Sequence, residues 1–138
     1  MSAFGDYWLQ VWDAIVAEVQ KVTELEESTF YGEKEPPLKS PSAYVCPIDI
    51  YTKPTTPRLS GFLIPFDIGI MKKGSDMKQG MKDAMNLAGK VYEQLIDDRT
   101  LGDLVDNLEV RIQPYWRGKR EFERHWVGVI VTCERIRM

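Results

Sequence analysis

The stretch Gly61-Phe62-Leu63-Ile64-Pro65-Phe66-Asp67-Ile68-Gly69-Ile70-Met71 decides the fold. Phe62, Ile64, Phe66, Ile68 and Ile70 occupy every second position, and successive side chains of a strand point to opposite faces. One face of this segment is therefore apolar without a break. Asp67 and Gly69 point the other way. A strand over residues 61–71 becomes the spine on which the rest of the chain is laid out.

Upstream, Tyr44, Cys46, Ile48 and Ile50 alternate over residues 43–51 and predict a second strand. Pro47 has no amide hydrogen to give, which places that strand at a sheet edge. Residues 52–60 carry Pro54 and Pro57 with Lys53 and Arg58, and read as a long loop between the two strands. Downstream, Asp76 followed by Gln79 has the form of a capping box and opens a helix over 76–97. Met77, Met81, Ala84, Met85, Ala88, Val91, Tyr92 and Leu95 recur at helical spacing as its buried stripe, the methionines as adaptable core. Gly80 and Gly89 weaken this helix by about 1 kcal/mol each relative to alanine. Glycines there permit close approach to a sheet.

Near the start of the chain, Trp8, Val11, Trp12, Ile15, Val19 and Val22 make a second amphipathic helix over about 3–23, with Ser2 as its cap. The acidic run Glu24, Glu26 and Glu27 sits at the wrong end for the helix dipole and ends it. Pro36, Pro37 and Pro41 make residues 33–41 an extended connection. Residues 97–107 form a turn region with the apolar pair Leu101 and Leu104. Strands over 108–116 and about 122–137 follow, joined by the turn Arg117-Gly118-Lys119-Arg120. The last strand exceeds the usual length, so a bulge or bend at Gly128, or a projecting end, is expected. Glu109, Arg111 and Gln113 leave one side of the sheet wet or covered by a partner. The order helix-strand-strand-helix-strand-strand predicts an α+β fold. It has a mainly antiparallel or mixed four-stranded sheet with two amphipathic helices packed on one face, in a single domain over 1–138.

At 138 residues, 43% hydrophobic and 28% charged, the chain is long enough to bury an ordinary core. The net charge of -3 gives no basic field that would draw nucleic acid. Cys46 and Cys133 sit in apolar runs and read as buried free thiols, which suits a reducing place of folding. Residues 1–13 hold no Lys or Arg, so no secretory signal is expected, and no apolar run approaches membrane-spanning length.

Catalytic chemistry is not legible. His125 stands alone, with no nucleophile signature beside it, and reads as a surface or strand-end residue. One histidine is too few for a catalytic zinc site. Asp97, Asp98, Asp103 and Asp106 lack the calcium-loop spacing and read as a solvated turn. Gly61, Gly69 and Gly74 match no phosphate-cradling loop, and nothing marks Glu109 and Glu121 as an acid/base pair. The expectation is a protein that is not an enzyme, with no catalytic, cofactor-binding or metal-ligating residues. Tyr115, Trp116, Arg117, Lys119, Arg120 and Arg124 mix aromatic rings with positive charge. Such a turn can dock on an acidic protein neighbour, stack on single-stranded nucleic acid, although Glu121 and Glu123 blunt its field, or stand as a plain solvated turn.

Several features together resemble the tail terminator (tail completion) proteins of long-tailed bacteriophages. A leading helix ends in Phe30-Tyr31-Gly32, and a proline-bearing link enters Ala43-Tyr44-Val45-Cys46-Pro47. Phe66-Asp67-Ile68-Gly69-Ile70 precedes a helix ending Val91-Tyr92-Glu93-Gln94-Leu95. Thr100-Leu101-Gly102-Asp103-Leu104-Val105-Asp106 then leads into two final strands. The likeness spans nearly the whole chain, and neck and head-completion proteins are similar in size and order. It implies a structural virion subunit, assembled in the host cytoplasm, that forms a ring, usually a hexamer. That ring caps the tail tube protein, ends its polymerisation and meets a neck or head-completion protein, with DNA only as passing cargo and no membrane. The alternatives are a neck or head-completion protein between portal and tail, or a small nucleic-acid-binding module. Loop position and composition give the expected contact residues as Lys53, Arg58, Trp116, Arg117, Lys119 and Arg120.

Overall fold

The computed structural model describes residues 2–33, 39–56 and 59–135, of which 51–56, 59 and 60 are described as backbone only. Helix α1 (Ala3–Gln20) is followed by a short 3-10 turn (Thr23–Leu25) and strand β1 (Thr29–Tyr31). Strands β2 (Ser42–Pro47), β3 (Tyr51–Thr56) and β4 (Leu59–Lys73) come next, then helix α2 (Met77–Asp97) and strands β5 (Asn107–Pro114) and β6 (Arg124–Arg135). The α+β class is as expected. The sheet is larger than expected: six strands in the order β1-β2-β4-β6-β5, with β3 also paired to β4. It is mixed, because β1 runs parallel to β2 while the other pairs are antiparallel.

β4 is the spine, bonded to β6 along one side over Phe62–Lys73. Its other side is shared end to end, with β3 against residues 59–63 and β2 against 66–71. The residues expected to form a loop over 52–60 therefore include strand β3, with a register shift between Pro54 and Thr56. Pro54 is tolerated because β3 has no other neighbour among the described strands. By contrast β2, expected at an edge, is not an edge strand, since β1 lies beside it. Ile48 donates its amide to Pro65 of β4, so the neighbouring Pro47 faces the β1 side, where β1 has already ended. Pro36, Pro37, Arg58 and the end of the expected last strand lie outside the described residues.

Ile64, Phe66, Ile68 and Ile70 of β4 meet Ala43 and Val45 of β2, Val127, Val129, Val131 and Cys133 of β6, and Leu108 of β5 in one core beneath both helices. Ser2 accepts from the Gly5 amide at 2.9 Å and caps α1, which places Val11, Ile15 and Val19 on this core. Asp76 accepts from the Gln79 amide at 2.9 Å. The capping box is half made, for the Gln79 side chain turns forward to Asp83 instead. The stripe buried by α2 is Gly80, Ala84, Leu87, Ala88, Val91 and Leu95. Met77 and Met85 are not in it: they are 74% and 60% exposed.

Gly80 lies against the His125 ring so closely that a β-carbon there would overlap the imidazole. His125 is thus buried at the start of β6, not on the surface, and its Nε2 donates to the Gly74 carbonyl at 2.8 Å. Gly89 meets nothing and serves no such approach.

Candidate interaction surface

The sheet face away from the helices is divided. One half carries a second core of Tyr44, Cys46, Met71, Trp116 and Trp126, with Phe30 at its margin. The other half, around Leu63, Glu109, Arg111, Ile130, Thr132 and Glu134, is an open shallow depression.

Trp116 comes from the turn after β5. Pro114 ends that strand, and Tyr115 and Arg117 take left-handed backbone angles with φ of 58° and 53°, ahead of Gly118 at 72°. The chain folds back over the sheet and lays the Trp116 indole across Gly69 of β4 and Gly128 of β6, which are register partners. A β-carbon at either glycine would press into that ring. The expected bulge at Gly128 is absent, since the β4–β6 ladder runs through it without a register shift. The glycine serves close approach instead. A row of rings continues outward from Trp116, stacked on Trp126 at 5.1 Å, then Trp126 tilted against Tyr44 at 5.9 Å, and Tyr44 stacked on Phe30 at 5.5 Å.

Charges seal the turn from above. Arg117 grips Asp67 in a two-pronged bond, Nε to Oδ2 at 2.8 Å and Nη2 to Oδ1 at 2.9 Å, and its Nη1 donates to Glu33 at 3.2 Å. Its guanidinium also covers the Trp116 ring at 4.5 Å. The bond to Asp67 raises the Arg117 pKa further above its ordinary value. Lys119 pairs with Glu33 at 2.9 Å. Burial pushes the Cys46 thiol beneath up to about 11.

The expected contact residues therefore separate. Trp116 is 1% exposed and fills the core, so its side chain has no surface left for a partner. Arg117 and Lys119 are engaged with acidic residues of the same chain. Arg120 is exposed and stacks over Tyr115 at 4.3 Å. Lys53 stands on β3 opposite Gly61, in the hairpin with β4, and Arg58 lies outside the described residues. Of the acidic turn, Asp98 accepts from the Gly102 amide at 3.2 Å and Asp106 pairs with Arg135 at 3.8 Å. Among the described residues no group of three or more His, Cys, Asp or Glu side chains could hold a metal ion. No helix described is long and apolar enough to cross a membrane.

Sequence reasoning missed the exposed apolar groups. Phe122 is 89% exposed just before β6, at the same end of the sheet as Met77. Ile112 is 44% exposed on β5, the outer strand of the sheet. Leu9 of α1 is 46% exposed, and Tyr31 of β1 is 50% exposed at the opposite edge. The signal was present in α2: a stripe centred on Ala84, Ala88 and Val91 leaves Met85 on the flank. Compared with known protein families and with curated proteins, the chain finds no match.

Proposed function

We propose that this protein is a structural subunit of the tail-terminator kind, which acts by forming a ring on the tail tube and not by transforming a substrate. The observation that carries this reading is the pair of unlike sheet edges. One edge ends in the eight-residue β5, whose outer side pairs with no described strand. The other ends in the three-residue β1 beneath α1. Unlike edges suit a heterologous, head-to-tail contact, the kind that closes into a ring, and an unpaired strand edge invites a partner.

The two ends of the sheet are unlike as well. The β3–β4 hairpin stands at one, Phe122 and Met77 at the other. Edges then serve lateral contacts between subunits, and ends serve axial contacts with the tail tube below and the neck above. Growth stops because the upper end does not repeat the tube's docking surface. A nucleic-acid-binding role has less support, since Trp116 is not free to stack on a base and Arg117 and Lys119 already hold carboxylates.

Particles assembled without this protein test the reading by electron microscopy. Overlong or headless tails are expected. Tails of normal length beside heads that leak DNA would point to a head-completion protein instead.

A further inference from the structure

Two exposed ridges on opposite flanks of the helical layer match each other in charge and in apolar content. On α1, Asp6, Leu9 and Asp13 follow at i, i+3 and i+7 and so form one line along the helix. This line lies on the β1 side, because Asp13 accepts from the Tyr31 hydroxyl at 2.7 Å while Glu18, on the other flank, reaches Gln94 of α2. From Ala3 to Gln20, α1 contains three acidic residues and no Lys or Arg.

On α2, Lys78, Lys82 and Met85 follow at i, i+4 and i+7, all exposed. They lie on the flank away from α1, since Lys90 and Gln94, on the opposite flank, are the residues that bond to Glu24 and Glu18. Among the described residues neither Lys78 nor Lys82 is ion-paired, and Ile112, opposite the core residue Val129, stands exposed on the β5 edge of the same sheet face.

We infer that the α1 flank of one copy docks on the α2 flank of the next, with the carboxylates of Asp6 and Asp13 beside the ammonium groups of Lys78 and Lys82 and with Leu9 and Met85 in the same seam. A second copy is the occupant because the same chain carries both halves of the match. The contact joins different patches, so it propagates in one direction and closes into a ring if the rotation allows. This rests on the ring reading above and adds which surfaces meet.

The test uses two charge-reversed full-length chains, D6K/D13K and K78E/K82E. All four positions are exposed, and far-UV circular dichroism checks that each variant folds. Each variant alone places like charges across the seam and should dissociate at a concentration at least about tenfold above wild type, a shift of about 1.4 kcal/mol. Mixed one to one, the variants have opposite charges at every contact of an alternating ring, and assembly should return. Rescue in the mixture supports the proposal, since a misfolded variant would not be rescued. Wild-type rings that neither variant weakens, or a mixture that stays dissociated, overturn these surfaces while leaving the ring reading intact. A wild type that never assembles overturns both.

Discussion

The indole of Trp116 lies on the backbone of Gly69, fifteen-residue strand β4 giving up its only outward side chain at that point so that the ring can sit on the sheet. Replacing Gly69 by alanine forces the ring off its seat, an overpacking cost of about 1–3 kcal/mol. Trp116→Ala removes the ring altogether and should cost about 3–5 kcal/mol. Trp116→Phe should cost less than the alanine change, because the buried Trp116 Nε1–H has no hydrogen-bond partner to lose. Urea unfolding measures all three, and the near-ultraviolet circular dichroism of the tryptophans reports whether the Trp116 ring is displaced.

Gly80 and Gly89 are both inside α2, yet alanine should act on them with opposite sign. Gly89→Ala meets open space and should stabilise by about 0.5–1 kcal/mol through helix propensity. Gly80→Ala puts its methyl into the His125 ring and should destabilise by about 1–3 kcal/mol. Melting temperatures of the two single variants decide this.

Arg117→Lys keeps the charge but loses the two-pronged grip on Asp67, so it should not behave as a conservative change. Arg117→Ala leaves the Asp67 carboxylate buried without its cation. Because the Arg117 side chain is 38% exposed, solvent moderates the loss to about 1–3 kcal/mol. A double-mutant cycle with Asp67→Asn, read by urea unfolding, should show a favourable coupling that survives moderate salt better than the exposed Lys90–Glu24 pair.

The two thiols make stability fall in alkali. Burial pushes Cys46 up to about 11 and Cys133 up to about 12, both from 9.0. The folded chain then holds these protons while the unfolded chain releases them. Their contribution is constant below about pH 9 and is lost progressively as pH rises through the folded values. Unfolding midpoints measured between pH 7 and 10.5 should decline above pH 9, and less so in Cys133→Ala relative to its own neutral value. At pH 8 neither thiol should react with a disulfide reagent until the chain unfolds.

How far the sequence can be read is set by how local each signal is. The apolar alternation in β4 and the helical stripes of α1 and α2 are carried by neighbouring residues, and both the strand and the helices stand where that pattern places them. β3 is hidden because Pro54 and Pro57 mark a loop, while its pairing is decided by β4 across the hairpin. β1 is hidden because Thr29–Tyr31 is too short to show a period. Trp116 looks like a surface residue because Arg117, Lys119 and Arg120 surround it in sequence. What buries it is the pairing of Gly69 with Gly128, two glycines on the outward face of paired strands. That pairing can be seen only once the strands are in register. The proposed contact surface follows the same logic: the ridge of Lys78, Lys82 and Met85 is visible on a helical wheel, but which flank faces outward depends on where α1 packs.

On the proposed reading this chain works by fitting against copies of itself and a cylinder of other subunits. Light scattering after size-exclusion chromatography, with negative-stain images of the same fractions and of fractions mixed with tail tubes, tests it most directly. Closed rings of one defined mass, free or seated at tube ends, are expected. A strict monomer at every concentration, which tail tubes neither bind nor assemble, would contradict that reading.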